Sequence, residues 1–175
     1  NKGEIIFNNN SQNNCIYADI LMGADTVRVY NLHYASIRLS PEDQIFTGNE
    51  KTSKSTAIKK DSKKILQRLK HAFITRARQA EIVADHMEEC TYPIILCGDF
   101  NDTPISYAYH LMRGKLNDSF ISSGSGLERT YAGLYPAFRI DYILYSDEFD
   151  VAGYHSIKEK WSDHYPIQSY LKLKK

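Results

Sequence analysis

The chain has 175 residues, of which 42% are apolar, 25% charged and 12% aromatic, which fits one folded domain with a substantial core and excludes a disordered tail. Its 22 Lys and Arg stand against 21 Asp and Glu, so no basic groove across the whole domain is implied. No apolar run approaches the roughly 18 residues needed to cross a bilayer.

In chain order, Gly3 to Phe7 reads as a short strand and the Asn/Ser/Gln stretch after it as a turn or loop. Cys15–Ile20 and Thr26–Leu32 read as strands joined through Gly23-Ala-Asp25 as a hairpin. If the second strand stays extended, Val27, Val29, Asn31 and His33 share one face, a polar pair closing an apolar row. The stretch 41–61 is polar and aperiodic. Residues 51–70 carry eight Lys or Arg against one acid, Asp61. That run is either a solvated helix and loop face or a contact for nucleic-acid backbone or anionic lipid. From Ser62 to Glu89 the pattern is helical, with Phe73, Ala77, Ala80, Val83 and Met87 on one face.

Pro93 stops that helix, and Pro93–Cys97 reads as a buried strand that Gly98-Asp-Phe-Asn-Asp-Thr-Pro104 ends. A short helix is expected over 105–113, a Ser/Gly loop over 118–126, and a strand over 138–144. Trp161-Ser-Asp-His164 is a loop before a last strand from Pro166 to Leu171. There is no repeat, no interdomain linker, no GxGxxG and no GxxxxGK[ST], so dinucleotide and P-loop binding are excluded. The order is that of a mixed, layered α/β domain. Cys15, Cys90 and Cys97 form no zinc set and read as small core residues. The chain opens on Asn1 with no signal-peptide pattern, as a processed protein does, and no compartment is read from that.

Four polar clusters sit at the ends of apolar strands: Asn31 with His33; Asp99 with Asn101 and Asp102; Asp141; and Asp163 with His164. Carboxylates, an amide and histidines are the parts needed for attack of water on a phosphate ester. The carboxylates hold a hard divalent cation, the cation polarises the phosphoryl oxygen, and the histidines donate to phosphate oxygens or move a proton near neutral pH. His71, His86, His110 and His155 lack such surroundings and read as ordinary polar side chains.

Gly98-Asp-Phe-Asn101, Arg139-Ile-Asp-Tyr-Ile143, Ser162-Asp-His164 and Arg28-Val-Tyr-Asn-Leu-His33, in their order and spacing, resemble the endonuclease/exonuclease/phosphatase superfamily. This is the group of DNase I, the abasic-site exonucleases, neutral sphingomyelinases and inositol polyphosphate 5-phosphatases. Arg76-Ala-Arg-Gln-Ala80, Ser123-Gly-Ser-Gly126 and Thr130-Tyr131 leading to Pro136-Ala-Phe-Arg139 are similar to a bacterial branch, which often carries membrane helices ahead of the catalytic domain.

The resemblance implies a two-sheet DNase I-like sandwich of α/β (α+β) type flanked by helices, and a metal-dependent phosphoesterase using Mg²⁺ or Mn²⁺. It implies that Asp99 orients and helps to deprotonate the attacking water, that Asn101 positions that water or a phosphate oxygen, and that His164 contacts the scissile phosphate or takes part in proton transfer. Asp141 holds the tautomer of His164, His33 binds a phosphate oxygen, and Asp163 serves the metal with Asp99 or acts as an orienting carboxylate. Tyr131, Arg139 and Trp161 are expected at the pocket rim. The family's early asparagine and its principal glutamate ligand have no match; the surroundings of Glu4 do not resemble the glutamate motif. Residues 1–175 are therefore expected to be a partial domain lacking its N-terminal strands. They read as a soluble piece of a longer protein, whose parent the resemblance allows to be membrane-anchored, or as a chain closed by a strand-exchanged partner. Nucleic acid, phospholipid and soluble phosphate esters all remain as substrates, and a non-catalytic phosphate-binding domain is the alternative.

Overall fold

The computed structural model describes residues 1–7, 12–37, 55–133 and 138–174, with the backbone alone over 55–62. Strands β1 (Lys2–Ile6), β2 (Asn14–Met22) and β3 (Asp25–His33) precede helix α1 (Ser55–Glu88). Strand β4 (Ile94–Asp99), helix α2 (Tyr107–Arg113), strand β5 (Asn117–Asp118) and helix α3 (Ser119–Ser123) follow. The chain closes with β6 (Asp141–Tyr145), β7 (Phe149–Ser156) and β8 (Ile167–Leu173). Six strands form one sheet in the order β1-β2-β3-β4-β6-β5, and β7 and β8 form a second.

Among the described residues only the β3–β4 pair is parallel. A parallel pair needs a long crossover, and α1 supplies it. Alternation then sorts the side chains. Tyr30, Leu32, Leu96, Tyr142 and Leu144 point to one face, where Ala80 and Val83 of α1 and Ala108, Tyr109 and Met112 of α2 cover them. Val27, Val29, Ile95 and Tyr145 point to the other, against Phe149, Val151, Leu171 and Leu173 of the second sheet. The second sheet covers only part of that face. On β2, Ile16 and Ile20 lie opposite Asn31 and Val27 in register, and they are 50% and 46% exposed. Among the described residues no helix is long and apolar enough to cross a membrane.

Several sequence expectations are corrected. The N-terminal strands are not all lacking: Lys2–Ile6 pairs antiparallel along β2 at the edge of the main sheet. The long helix begins at Ser55 rather than Ser62, and the polar stretch at 41–54 lies outside the described residues. Its buried face is also rotated: Phe73 is exposed, while Ala72, Arg76, Gln79, Ala80 and Val83 face the core. An apolar count misses this because the centre of the face is an arginine. Residues 118–123 are β5 and α3 rather than loop, because the Asp118 carboxylate accepts from the amides of Phe120 and Ile121 and caps the helix. Strand β7 has no counterpart among the expected elements. Its register shifts between Val151 and Gly153, which breaks the alternation that marks a strand in sequence. The three cysteines are free thiols, with Cys15 fully buried.

Two buried ion pairs tie the layers together. Arg76 Nε donates to Asp102 Oδ2 at 2.8 Å, and Arg139 Nη1 donates to Asp118 Oδ2 at 2.7 Å. Removing one member of such a pair strands a buried charge. Arg76→Ala is therefore expected to lower unfolding free energy by about 3–5 kcal/mol in urea denaturation, and a loss within the surface range of about 0.5 kcal/mol would show that the pair bears no weight.

Candidate active site

The register of three adjacent strands builds a row of polar side chains. His33 at the end of β3 pairs in register with Asp99 at the end of β4, and Asp99 pairs with Asp141 at the start of β6. Partners in register share a face, so the three stand side by side on the face that the second sheet partly covers. The apolar run Pro93–Cys97 places Asp99 at that end of the sheet. Gly98 is required just before it: its φ is +139°, and a Cβ there would lie 1.9 Å from the carbonyl oxygen of Leu32.

The remaining groups arrive from loops. Asn101 has a φ of 51°, in the left-handed region that Asn tolerates. This turns its amide back so that its backbone N–H donates to Asp99 Oδ1 at 2.7 Å and its Nδ2 to Asp99 Oδ2 at 2.9 Å. The same Nδ2 donates to the Tyr34 carbonyl at 2.9 Å, tying the end of β3 to the end of β4. His164 comes from the loop before β8. Its Nδ1 lies 2.9 Å from Asp141 Oδ2, and its Nε2 lies 3.8 Å from Asp99 Oδ2. His33 Nε2 lies 3.7 Å from the same oxygen. The carboxylate of Asp99 is thus flanked by two imidazoles.

Ligand atoms of Asp99, Asp141 and His164 lie within 4.8 Å of one another, which is compact enough to hold a divalent ion. Charge crowding shows in the titration of the row. Burial, then the neighbouring Asp141 carboxylate, pushes Asp99 up to about 6. The hydrogen bond to Asp141 raises His164 above the usual imidazole value. Burial, then the charge on His164, lowers His33. One histidine is thereby favoured as a proton donor and the other as a neutral ring.

The remaining candidates have different surroundings. Asp163 is exposed and stands outside the three-residue cluster; its carbonyl accepts from the Ala132 amide at 2.7 Å. Asp102 belongs to the ion pair with Arg76, away from solvent. Arg139 is buried beside Asp118 with its guanidinium over the rings of Phe120 and Tyr142, and Trp161 is 70% exposed. Tyr131 presents its ring edge-on to His164, with centroids 5.4 Å apart, and forms an isolated β-bridge with it.

Thr130 has no expected role in the site, yet the structure gives it one. It is fully buried, and its Oγ1 accepts from the amides of Ile140 at 2.9 Å and Asp141 at 3.1 Å. Its carbonyl accepts from the amide of Tyr165 at 2.7 Å. One residue therefore fixes both the strand of Asp141 and the loop of His164. A threonine beside a tyrosine gives no periodic signal; only the long-range pairing reveals it. Thr130→Val is expected to cost about 1–3 kcal/mol in urea unfolding by leaving buried N–H groups without an acceptor, whereas Thr130→Ser restores most of it. Equal stability of the Val protein and the parent would refute this clamp.

No curated protein matches the chain. A structure of a mannosyl-6-phosphatase from Bacteroides thetaiotaomicron shares the fold with a TM-score of 0.68 and 18% identity over 99% of this chain and 66% of that one. An endonuclease/exonuclease/phosphatase family protein from the same organism gives 0.67 and 19%, over 98% and 62% of the two chains. The human Nocturnin catalytic domain with bound sulfate gives 0.61 and 17%, over 99% and 58%. The chain thus spans about two thirds or less of each of these proteins. The model of the Endonuclease/Exonuclease/phosphatase family matches residues 70–164, more than half of the sequence and a span that runs from α1 through Asp99, Asn101 and Asp141 to His164, and the chain belongs to that family.

Proposed function

We propose that this chain is the catalytic part of a metal-dependent phosphoesterase that directs activated water at the phosphorus of a phosphodiester or phosphomonoester. The observation that carries the reading is the Asp99–Asp141–His164 cluster at the meeting of three strand ends. The two carboxylates suit a hard cation such as Mg²⁺, or Mn²⁺, which keeps water and phosphate oxygens among its ligands. Asp99 and Asp141 would hold the ion, with Asp163 as a further carboxylate beside His164, and the ion would polarise the phosphoryl oxygen and offset developing charge.

The side chains divide the remaining work. Asp99, between two histidines and held by Asn101, orients water and takes its proton; its raised pKa brings it nearer to neutral pH as a base. Asn101 helps to position that water. His164, whose hold on a proton the hydrogen bond to Asp141 strengthens, donates to a phosphate oxygen, and Asp141 fixes its tautomer. His33, neutral and half exposed, binds another phosphate oxygen.

Residues 1–175 read as part of a longer domain. The partly bare sheet face over Ile16 and Ile20 and the span of about two thirds of the solved relatives support this, and either more of the same protein or a second chain supplies the cover. A phosphate-binding domain without turnover is the second reading, favoured by the small donor set among the described residues. Nucleic acid, phospholipid and small phosphate esters all fit the reaction.

Hydrolysis of bis(p-nitrophenyl) phosphate with Mg²⁺, with Mn²⁺ and with EDTA separates the two readings. Turnover is expected with metal and not with EDTA, with Asp99→Ala and His164→Ala each losing about 100-fold or more. A folded chain that binds metal yet turns over neither this ester nor a phosphomonoester supports the binding domain instead. Metal affinity has its own signature. Because a proton competes at Asp99, which titrates at about 6, Mn²⁺ binding followed by calorimetry is expected to weaken as pH falls through that value. Affinity that stays flat across that range would remove Asp99 from the ion's ligands.

A further inference from the structure

A second site lies on the helical side of the main sheet. A cavity of about 930 Å³ opens between α1 and the segment Ala35–Ile37. That segment directly follows His33 and Tyr34, so the cavity begins at the same sheet end as the candidate active site. Its position is fixed from two sides. The Ala35 amide donates to Gln79 Oε1 at 2.9 Å, and Arg76 Nη1 donates to the Ala35 carbonyl at 3.0 Å.

The wall contributed by α1 is cationic. Lys64, Arg68 and Arg78 line it, with the imidazole of His71 between them. Their spacings of four, three and seven residues keep them on one helical stripe. At 1.5 Å per residue the stripe runs roughly 21 Å from Lys64 to Arg78. No aspartate or glutamate is among the described residues that line the cavity. Phe7, Ala35, Ile37 and Ala72 supply apolar surface beside the charges, and the described lining from α1 places no Phe, Tyr or Trp among the cations to stack bases. A single phosphate would engage only part of such a stripe. A strand of phosphates, with a charge every 3.4 Å or so along one strand of a nucleic acid, matches its length and its charge.

We propose that the stripe of Lys64, Arg68, His71 and Arg78 is a binding site for a chain of phosphates, read by charge and not by base. The site stands apart from the hydrolytic reading, because binding there needs neither a metal nor turnover. It also assigns a location to the basic character of the 51–70 segment: Lys64 and Arg68 act together with His71 and Arg78, which lie beyond it in sequence.

The test is fluorescence anisotropy of a short labelled oligothymidine with this chain in EDTA, across a salt series. Binding is expected, with log affinity falling linearly against log salt. Lys64→Gln/Arg68→Gln/Arg78→Gln should bind about tenfold or more weakly. Its salt slope should be shallower by about 2, because each phosphate that a side chain neutralises on a single strand adds about 0.7 to the slope. Arg78→Gln alone should make the slope shallower by about 0.7. Circular dichroism and the urea midpoint, read on each variant, separate a loss of binding from a loss of fold. A control, Lys172→Gln/Lys174→Gln on and beside β8, should leave affinity unchanged. Linear inorganic polyphosphate that displaces the oligonucleotide identifies the phosphate chain alone as the ligand; failure to displace assigns the site to nucleic-acid backbone. Absence of oligothymidine binding, an unchanged slope in the triple variant, or an equal drop in affinity in the control overturns the proposal. Loss of ester hydrolysis with this binding intact would instead count against the catalytic reading.

Discussion

The buried guanidinium of Arg76 is the constraint on which the site end of the molecule depends. Its side chain has no solvent access, yet it carries a charge into the junction of three segments. Nε pairs with Asp102 after β4, Nη1 holds the Ala35 carbonyl after β3, and Phe73 of the same helix lies under the guanidinium. Asp102 in turn accepts from the Thr103 amide through Oδ1, and its carbonyl accepts from the hydroxyl of Tyr142 on β6. The desolvation of such a pair offsets much of its attraction, so what it contributes is geometry more than net stability. The chain leaving β3 and the chain leaving β4 cannot move apart without exposing an uncompensated charge. Asn101 repeats the link closer to the surface through the Tyr34 carbonyl. Backbone positions on both sides of Asp99 are thereby set before any ligand arrives.

On that fixed frame, the electrostatics of the row follow from crowding. Asp99 and His164 both hold protons more tightly than usual, and His33 holds its proton less tightly. The contribution of Asp99 to stability is fully present below its ordinary carboxylate value and is lost as pH rises through about 6. That of His164 likewise is present below the ordinary imidazole range and lost as pH rises through its elevated folded value. His33 has the opposite sign, losing stability as pH falls. At neutral pH the row therefore stores repulsion between Asp99 and Asp141, which a bound cation relieves. An acidic site that is unfavourable alone and favourable with a cation is the physical condition for metal binding coupled to folding.

The sequence is most legible where one chemistry repeats along a strand. Val27, Val29, Asn31 and His33 do alternate onto one face, and α1 and the strand ending in Asp99 follow from period and from Pro93. What it hides are groups whose role is set by distant partners. Arg76 looks like the polar side of a helix until Asp102 is seen against it. Arg139 reads as a rim residue, but Asp118 and a set of aromatic rings draw it inside. Thr130 acquires its meaning only from amides ten and eleven residues away. Strand β7 is hidden by a bulge that shifts its period, and β5 with α3 by a cap whose carboxylate also serves an ion pair. In each case a long-range polar contact or a register shift overrides the local pattern.

The bare part of the sheet and the row of polar groups belong to different halves of the same surface. His33, Asp99 and Asp141 sit on β3, β4 and β6, in the middle of the six-stranded sheet, where every strand has a neighbour on each side. Their backbone geometry is therefore independent of whatever covers β2. Ile16 and Ile20, by contrast, lie on a flank where the second sheet, two strands wide, does not reach. Burying those two side chains strengthens the layer without altering the register that aligns His33, Asp99 and Asp141. The cover would instead act on the mouth of the site, where a third layer removes water from around Asn31 and His33, both exposed on the same face. Lower local polarity there sharpens every charge–charge interaction in the row, so a cover matters more to the electrostatics of the row than to whether the row forms.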